Sequence, residues 1–262
     1  SSITTPIVDP LTGLQFPGNI IPASRISAVA RALLGNTANY PLPNAAVAGV
    51  TGNYVGETLT ETRAHQGDVR IDWSASPNDK FFGRYSIKRY NSEQTKAQFP
   101  LILPTFADQP FWNVGFNWNR IFGNTIVNEA LVGFSSTQRA SGIFDWAGIG
   151  NGNATYGIAG GQPIAGLSSI VMGSGLTSPG NIATDSESLG GTFQINEKLT
   201  WLKGRHAMKF GGQWLRYSQQ RFYAGNNGML GSITYNGAFT GVPFADFLLD
   251  MASGKGRGGG DP

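Results

Sequence analysis

DVRIDWSASPNDKFFGRYSIK, residues 68–88, decides the fold. Val69, Ile71 and Trp73 alternate with Asp68, Arg70 and Asp72; after the turn-forming residues 74–79, Phe81, Tyr85 and Ile87 alternate with Arg84, Ser86 and Lys88. A period of two sends successive side chains to opposite faces of a strand, so the stretch predicts a β-hairpin with one apolar and one polar face.

The same pattern recurs downstream. Trp112, Val114, Phe116 and Trp118 alternate with Asn113, Gly115, Asn117 and Asn119, and a Gly123-Asn124 turn leads to Ala130, Val132 and Phe134. A third hairpin sets Phe193, Ile195, Leu199 and Trp201 against Thr192, Gln194, Asn196, Lys198 and Thr200, turns at Lys203-Gly204-Arg205, and returns through Met208, Phe210 and Trp214. Its arms are much longer than the five or six residues or so of a globular strand. Strands of at least about 9–11 residues are what a tilted membrane crossing requires. Glu197 falls in phase with the apolar set, which predicts a bulge at Asn196 or Glu197. A seventh strand is predicted over residues 230–235.

Turns within hairpins are short, whereas the links 91–110 and 137–187 are long and rich in Gly, Pro, Ser and Asn. Outer-membrane barrels segregate short periplasmic turns from long extracellular loops, and a soluble sandwich has no reason to do so. Residues 1–64 read as a loop region with one short helix, N-capped by Ser24, carrying Ile26, Val29, Ala30, Leu33 and Leu34 on one face and ending at Gly35. Residues 65–262 read as the partial barrel. Pro243–Met251 predicts another short helix, which caps a loop or plugs the lumen. The fold class expected is all-β: an antiparallel meander of long hairpins, a sector of a transmembrane β-barrel, with long loops and short helices.

Composition agrees. The chain is 40% hydrophobic but only 13% charged, where a soluble domain carries about 25% charged residues. The net charge of +3 is spread along the chain without a basic run, so no nucleic-acid partner is expected. With no cysteine, thiolate metal sites and disulfides are excluded. No apolar run is long enough for a membrane-spanning helix, and barrel strands would escape that test. Ser1 opens no signal peptide, and the GKGRGGGDP end carries no closing strand, so both termini read as cut.

Trp73, Tyr85, Trp112, Phe116, Trp118, Phe134, Phe193, Trp201, Phe210 and Trp214 are the candidate lipid-facing or interfacial aromatics. Asp68, Arg70, Asp72, Arg84, Lys88, Asn117 and Lys198 are the candidate lumen-facing residues, where opposite charges pair across strands. A soluble β-sandwich, with the first set as core and the second as solvated face, is the competing reading. The segment 137–187, with Ile143, Phe144, Trp146 and Tyr156, is either a ligand-meeting surface loop or a self-packed one. His65 and His206, each placed at a strand start, have no neighbours at ligand spacing, so neither metal nor cofactor is expected. Gly254, Gly256 and Gly259 fit G-x-G-x-x-G but lack the strand before and the helix after; Gly256 also breaks a P-loop after Lys255.

Seven phrases, DPLTG (9–13), FPGNIIPASRIS (16–27), YPLPN (40–44), DVRIDWSASPNDKFFGRYS (68–86), VNEALVGF (127–134), LTWLKGRHAMKFGGQW (199–214) and PFADFLLD (243–250), stand in the order found in Oar-like TonB-dependent receptors, and the chain resembles that family over most of its length outside 137–187. The resemblance implies a bacterial outer-membrane barrel of about 22 strands, filled by an N-terminal plug and coupled to TonB, taking up a scarce small or oligomeric solute. Neither plug nor TonB-contacting segment is visible here, so the chain is expected to be an internal barrel fragment with no enzymatic activity. Adhesion by a barrel without transport is the alternative. A secreted β-sandwich glycan hydrolase is a third, for which no paired carboxylates argue.

Overall fold

A computed structural model describes residues 4–46, 52–145, 148–173 and 175–258; Ser1, Trp146 and Gly259 lie outside them. In chain order the elements are α1 (Ala28–Gly35), β1 (Leu59–Ser74), β2 (Asp79–Lys96), β3 (Thr105–Phe122), β4 (Ile126–Ile143), α2 (Gly152–Thr155), β5 (Ser169–Met172), β6 (Ser186–Lys203), β7 (His206–Tyr223), β8 (Ser232–Tyr235), α3 (Pro243–Leu248) and β9 (Gly254–Gly256). Six long strands form an antiparallel meander in the order β1-β2-β3-β4-β6-β7. The sheet is not closed: β1 and β7 are its two edges.

Each hairpin turn has a local cause. In the first, the Ser76 hydroxyl accepts the Asn78 and Asp79 amides and donates to the Asp79 carboxylate. In the other two, Gly123 and Gly204 take φ of 60°, a left-handed conformation that only glycine adopts without steric cost. Inside β3, Pro110 pairs with Arg89 of β2 but not with β4, while the register continues unchanged on either side. A proline brings no N–H to that ladder.

The long segments all leave the meander at the end opposite the tight turns, and they fold into one cap. Ala30 and Leu33 of α1, Phe99 and Leu101 between β2 and β3, Tyr156, Leu167 and Ile170 between β4 and β6, and Tyr235 and Phe247 after β7 share a buried core. A small sheet holds it together, with β5 parallel to β8 and β9 antiparallel to β8. Tyr156 and Phe99 pack described parts of the 137–187 and 91–110 links into this core, and the strands that enter these links run further than expected, to Ile143 and Lys96.

Several expectations need correction. Residues 230–235 do not add a seventh strand to the meander: β8 is four residues long and pairs only within the cap, where Ile233 and Tyr235 are buried. Ser27, not Ser24, caps α1 by accepting the Ala30 amide at 3.1 Å, because Ile26 is still extended and Ser24 sits in a preceding 3-10 turn. The helix does end at Gly35, with Asn36 as its C-cap. β1 starts at Leu59, which leaves His65 within the strand rather than at its start. No bulge occurs at Asn196 or Glu197; both ladders of β6 run through in register. Gly254–Gly256 at the start of the glycine run form β9, which pairs with β8 in the cap. The helix at Pro243 packs in the cap beside Tyr235.

Candidate functional site

Cross-strand register determines which side chains share a face. Val69, Tyr85, Val114, Phe134 and Phe193 lie in one row; Ile71, Phe116, Val132, Ile195 and Trp214 in the next; Trp73, Phe81 and Trp118 in a third. Trp112, Trp201 and Phe210 fall on the same face, so all ten candidate aromatics stand together. Their rings touch: Trp73 and Trp118 stack on either side of Phe81 with centroids 5.3 and 6.2 Å away, and Trp112 meets Phe134 at 5.2 Å. Large apolar side chains on this face, among them Ile71, Trp73, Phe116 and Trp214, stay exposed. No described residue covers them.

This apolar belt has charged borders. At the tight-turn side, the Asp79 carboxylate accepts from the Trp118 indole at 3.1 Å and pairs with Arg120 at 3.2 Å. Towards the cap, Arg89 pairs with Asp108 at 2.9 Å. The belt also slants. The row of Trp73 reaches β7 at Gly212, yet Phe210 and Met208 extend the apolar set two outward positions further. Strands crossing an apolar layer obliquely produce such a drift.

The opposite face is polar. Asp68, Arg70, Asp72, Arg84, Lys88, Asn117 and Lys198 all lie on it. Asp68 accepts from Ser86, from Gln66 at 3.0 Å and from Arg84 at 2.9 Å; Arg70 forks onto Asp72 and stacks 4.1 Å from the Phe82 ring; Lys198 pairs with Glu129. Lys88 stands apart from these pairs, beside Tyr90 and Phe111. The amide oxygens of Asn117, Asn119 and Asn196 are enclosed without a hydrogen-bond partner. Charges of opposite sign and amides thus alternate over this face.

Two ionisable residues break the apolar face. Glu197 stands between Ala130, with a single methyl, and Gly212, with no side chain, which leaves its carboxylate open, with Ile195 and Leu199 before and after it. Arg216, opposite Phe193, escaped the sequence reading; its alternation with Trp214 and Ser218 was the available signal.

The model of a family described as an outer membrane beta barrel domain matches residues 1–261. The chain belongs to this family. A search of curated proteins returned no match. The two-faced meander is therefore a barrel domain of the bacterial outer membrane. Its dimensions agree. From Asp79 to Arg89 is ten steps along β2, about 34 Å at about 3.4 Å per residue and about 26 Å along the axis of strands tilted by about 40°, close to the roughly 25 Å apolar band of such barrels.

At the cap end of the barrel domain, Asp9 of the DPLTG phrase accepts both guanidinium nitrogens of Arg25 from FPGNIIPASRIS, at 3.1 and 3.2 Å, and the Arg25 hydrogen bond holds its carboxyl below the usual range. Asn44 of YPLPN brackets Val55 with two hydrogen bonds. Asp185, beside the start of β6, is pushed up by burial against the Ile143 amide that it accepts. A hollow of about 240 Å³ lies beside β9, but its two cations are engaged: Lys255 donates to the Ala159 carbonyl and Arg257 to those of Gly160 and Gly161.

Proposed function

We propose that this barrel domain is a sector of a TonB-dependent receptor of the Oar-like kind, which takes up a scarce solute across the outer membrane and does no chemistry on it. In this reading the aromatic belt meets lipid and the charged face lines the lumen. The observation that carries it is the packed cap gathered at one end of a polar-lined meander. A receptor needs a structured outer mouth above a wetted path, and long loops on a rigid scaffold are where recognition resides. The ordered phrases shared with Oar-like receptors supply the energy-coupling part of the proposal: a plug within the lumen and TonB as its partner.

TonB dependence tests it. Spent medium from wild-type cells, cells lacking this gene and cells lacking TonB would be compared under nutrient limitation. The expected result is a solute consumed by the wild type and left by both deletions, together with in-cell crosslinking of the protein to TonB. Surface attachment lost in the gene deletion but unaffected by TonB, with every solute consumed equally, would replace transport with adhesion.

A further inference from the structure

On the apolar face, where β4, β6 and β7 meet, lies an open groove of about 420 Å³ lined by Phe134, Gly191, Phe193, Trp214, Arg216 and Ser218. Gly191 makes the space: a Cβ there would stand 3.2 Å from the Phe134 ring. Trp214 packs edge-on against Phe193 at 5.8 Å, which fixes one wall. Among the described residues Arg216 has no acidic partner, whereas Arg89 and Arg120 on this face are each paired with an aspartate. Glu197, the nearest acidic residue along β6 on that face, lies two rows nearer the tight turns, opposite Gly212, and Glu187 lies three rows nearer the cap, opposite Phe222; neither pairs with Arg216.

Height along the strand matters here. The apolar set of β7 ends at Trp214, and Arg216, Ser218 and Gln220 follow on the same face. Arg216 therefore stands where the hydrocarbon layer gives way to headgroups, on the cap side. Its guanidinium matches phosphate oxygens two at a time, Ser218 offers a hydroxyl beside it, and the aromatic walls below suit acyl chains. We infer that this groove is a binding site for a lipid with a phosphate-bearing headgroup, held by Arg216 at the cap-side edge of the belt. The inference rests on the lipid-facing reading of the belt.

The test uses the protein extracted from outer membranes in mild detergent. Bound lipid would be identified by native mass spectrometry, with phosphorus measured per chain after extensive washing. The wild type should retain about one phosphorylated lipid. Arg216→Gln should lower retention at least about fivefold, Arg216→Lys should fall between, since it keeps the charge and loses the fork, and Arg89→Gln should match the wild type. Gly191→Ser, which narrows the groove and leaves the charge in place, should also release lipid. Wild-type protein free of phosphorylated lipid would overturn the site, and so would equal loss from Arg89→Gln, which would mark a general annulus. Heat-modifiable migration, scored on the same samples, reports separately on the barrel, so failure of the site and failure of the lipid-facing reading are distinguishable.

Discussion

Asp246 in the cap is fully buried and accepts both the Thr240 amide, at 2.8 Å, and the Thr240 hydroxyl, at 2.7 Å. Asp246→Ala leaves the buried Thr240 amide, and the Phe239 amide that reaches the other carboxylate oxygen at 3.4 Å, without an acceptor, while the Thr240 hydroxyl turns to the Val242 carbonyl. The expected loss is about 1–3 kcal/mol, read as a lower thermal midpoint and faster proteolysis of the cap while the meander stays heat-modifiable. Asp185 carries the opposite sign. Burial raises its pKa in the folded protein, so its contribution to stability is fully present below the unfolded value of about 4 and is lost as pH rises through the folded value. Asp185→Asn keeps an acceptor for the Ile143 amide and removes the charge. It should be more stable than the wild type at pH 7, by thermal melting, and the advantage should vanish below about pH 4; an unchanged difference across that range would remove burial of the charge as the cause.

Neighbouring residues of one strand should respond very differently. Ile195 stands in the middle of the β6 belt, and Gln194 faces the polar side. Ile195→Arg should cost about 2–4 kcal/mol in folding into vesicles, and Gln194→Arg close to nothing, measured by denaturant titration with heat-modifiable gels. These elements were legible in the sequence because a two-residue period survives over long arms; Val69, Ile71 and Trp73 state their face without any knowledge of a partner strand. The cap was not legible for the converse reason. β5, β8 and β9 have three or four residues each, too short to show a period, and Ile170 finds Ile233 only after two meander strands intervene. Ser24 and Ser27 are equivalent as residue types, and only the extended backbone at Ile26 assigns the cap to Ser27. The bulge expected at Glu197 and not found has a similar origin: periodicity flags a charge on the wrong face, but the small neighbours Ala130 and Gly212 that leave room for it lie on other strands.

As a whole, the molecule presents an uncovered aromatic belt and two unpaired edges of 16 and 18 residues, β1 and β7. In water each would recruit another copy. The chain expressed by itself should aggregate without detergent and disperse in micelles, by light scattering; a monodisperse soluble monomer would contradict the belt's exposure to lipid. The parallel pairing of β5 with β8 has a kinetic meaning as well. Ser169–Met172 precedes β6 and β7 in the chain, and Ser232–Tyr235 follows them, so closing the β6–β7 hairpin is what carries the two cap strands to the same end. A chain whose last hairpin stayed open would keep Ile170 and Ile233 apart and their loops open to cleavage, which makes the cap a record of that closure.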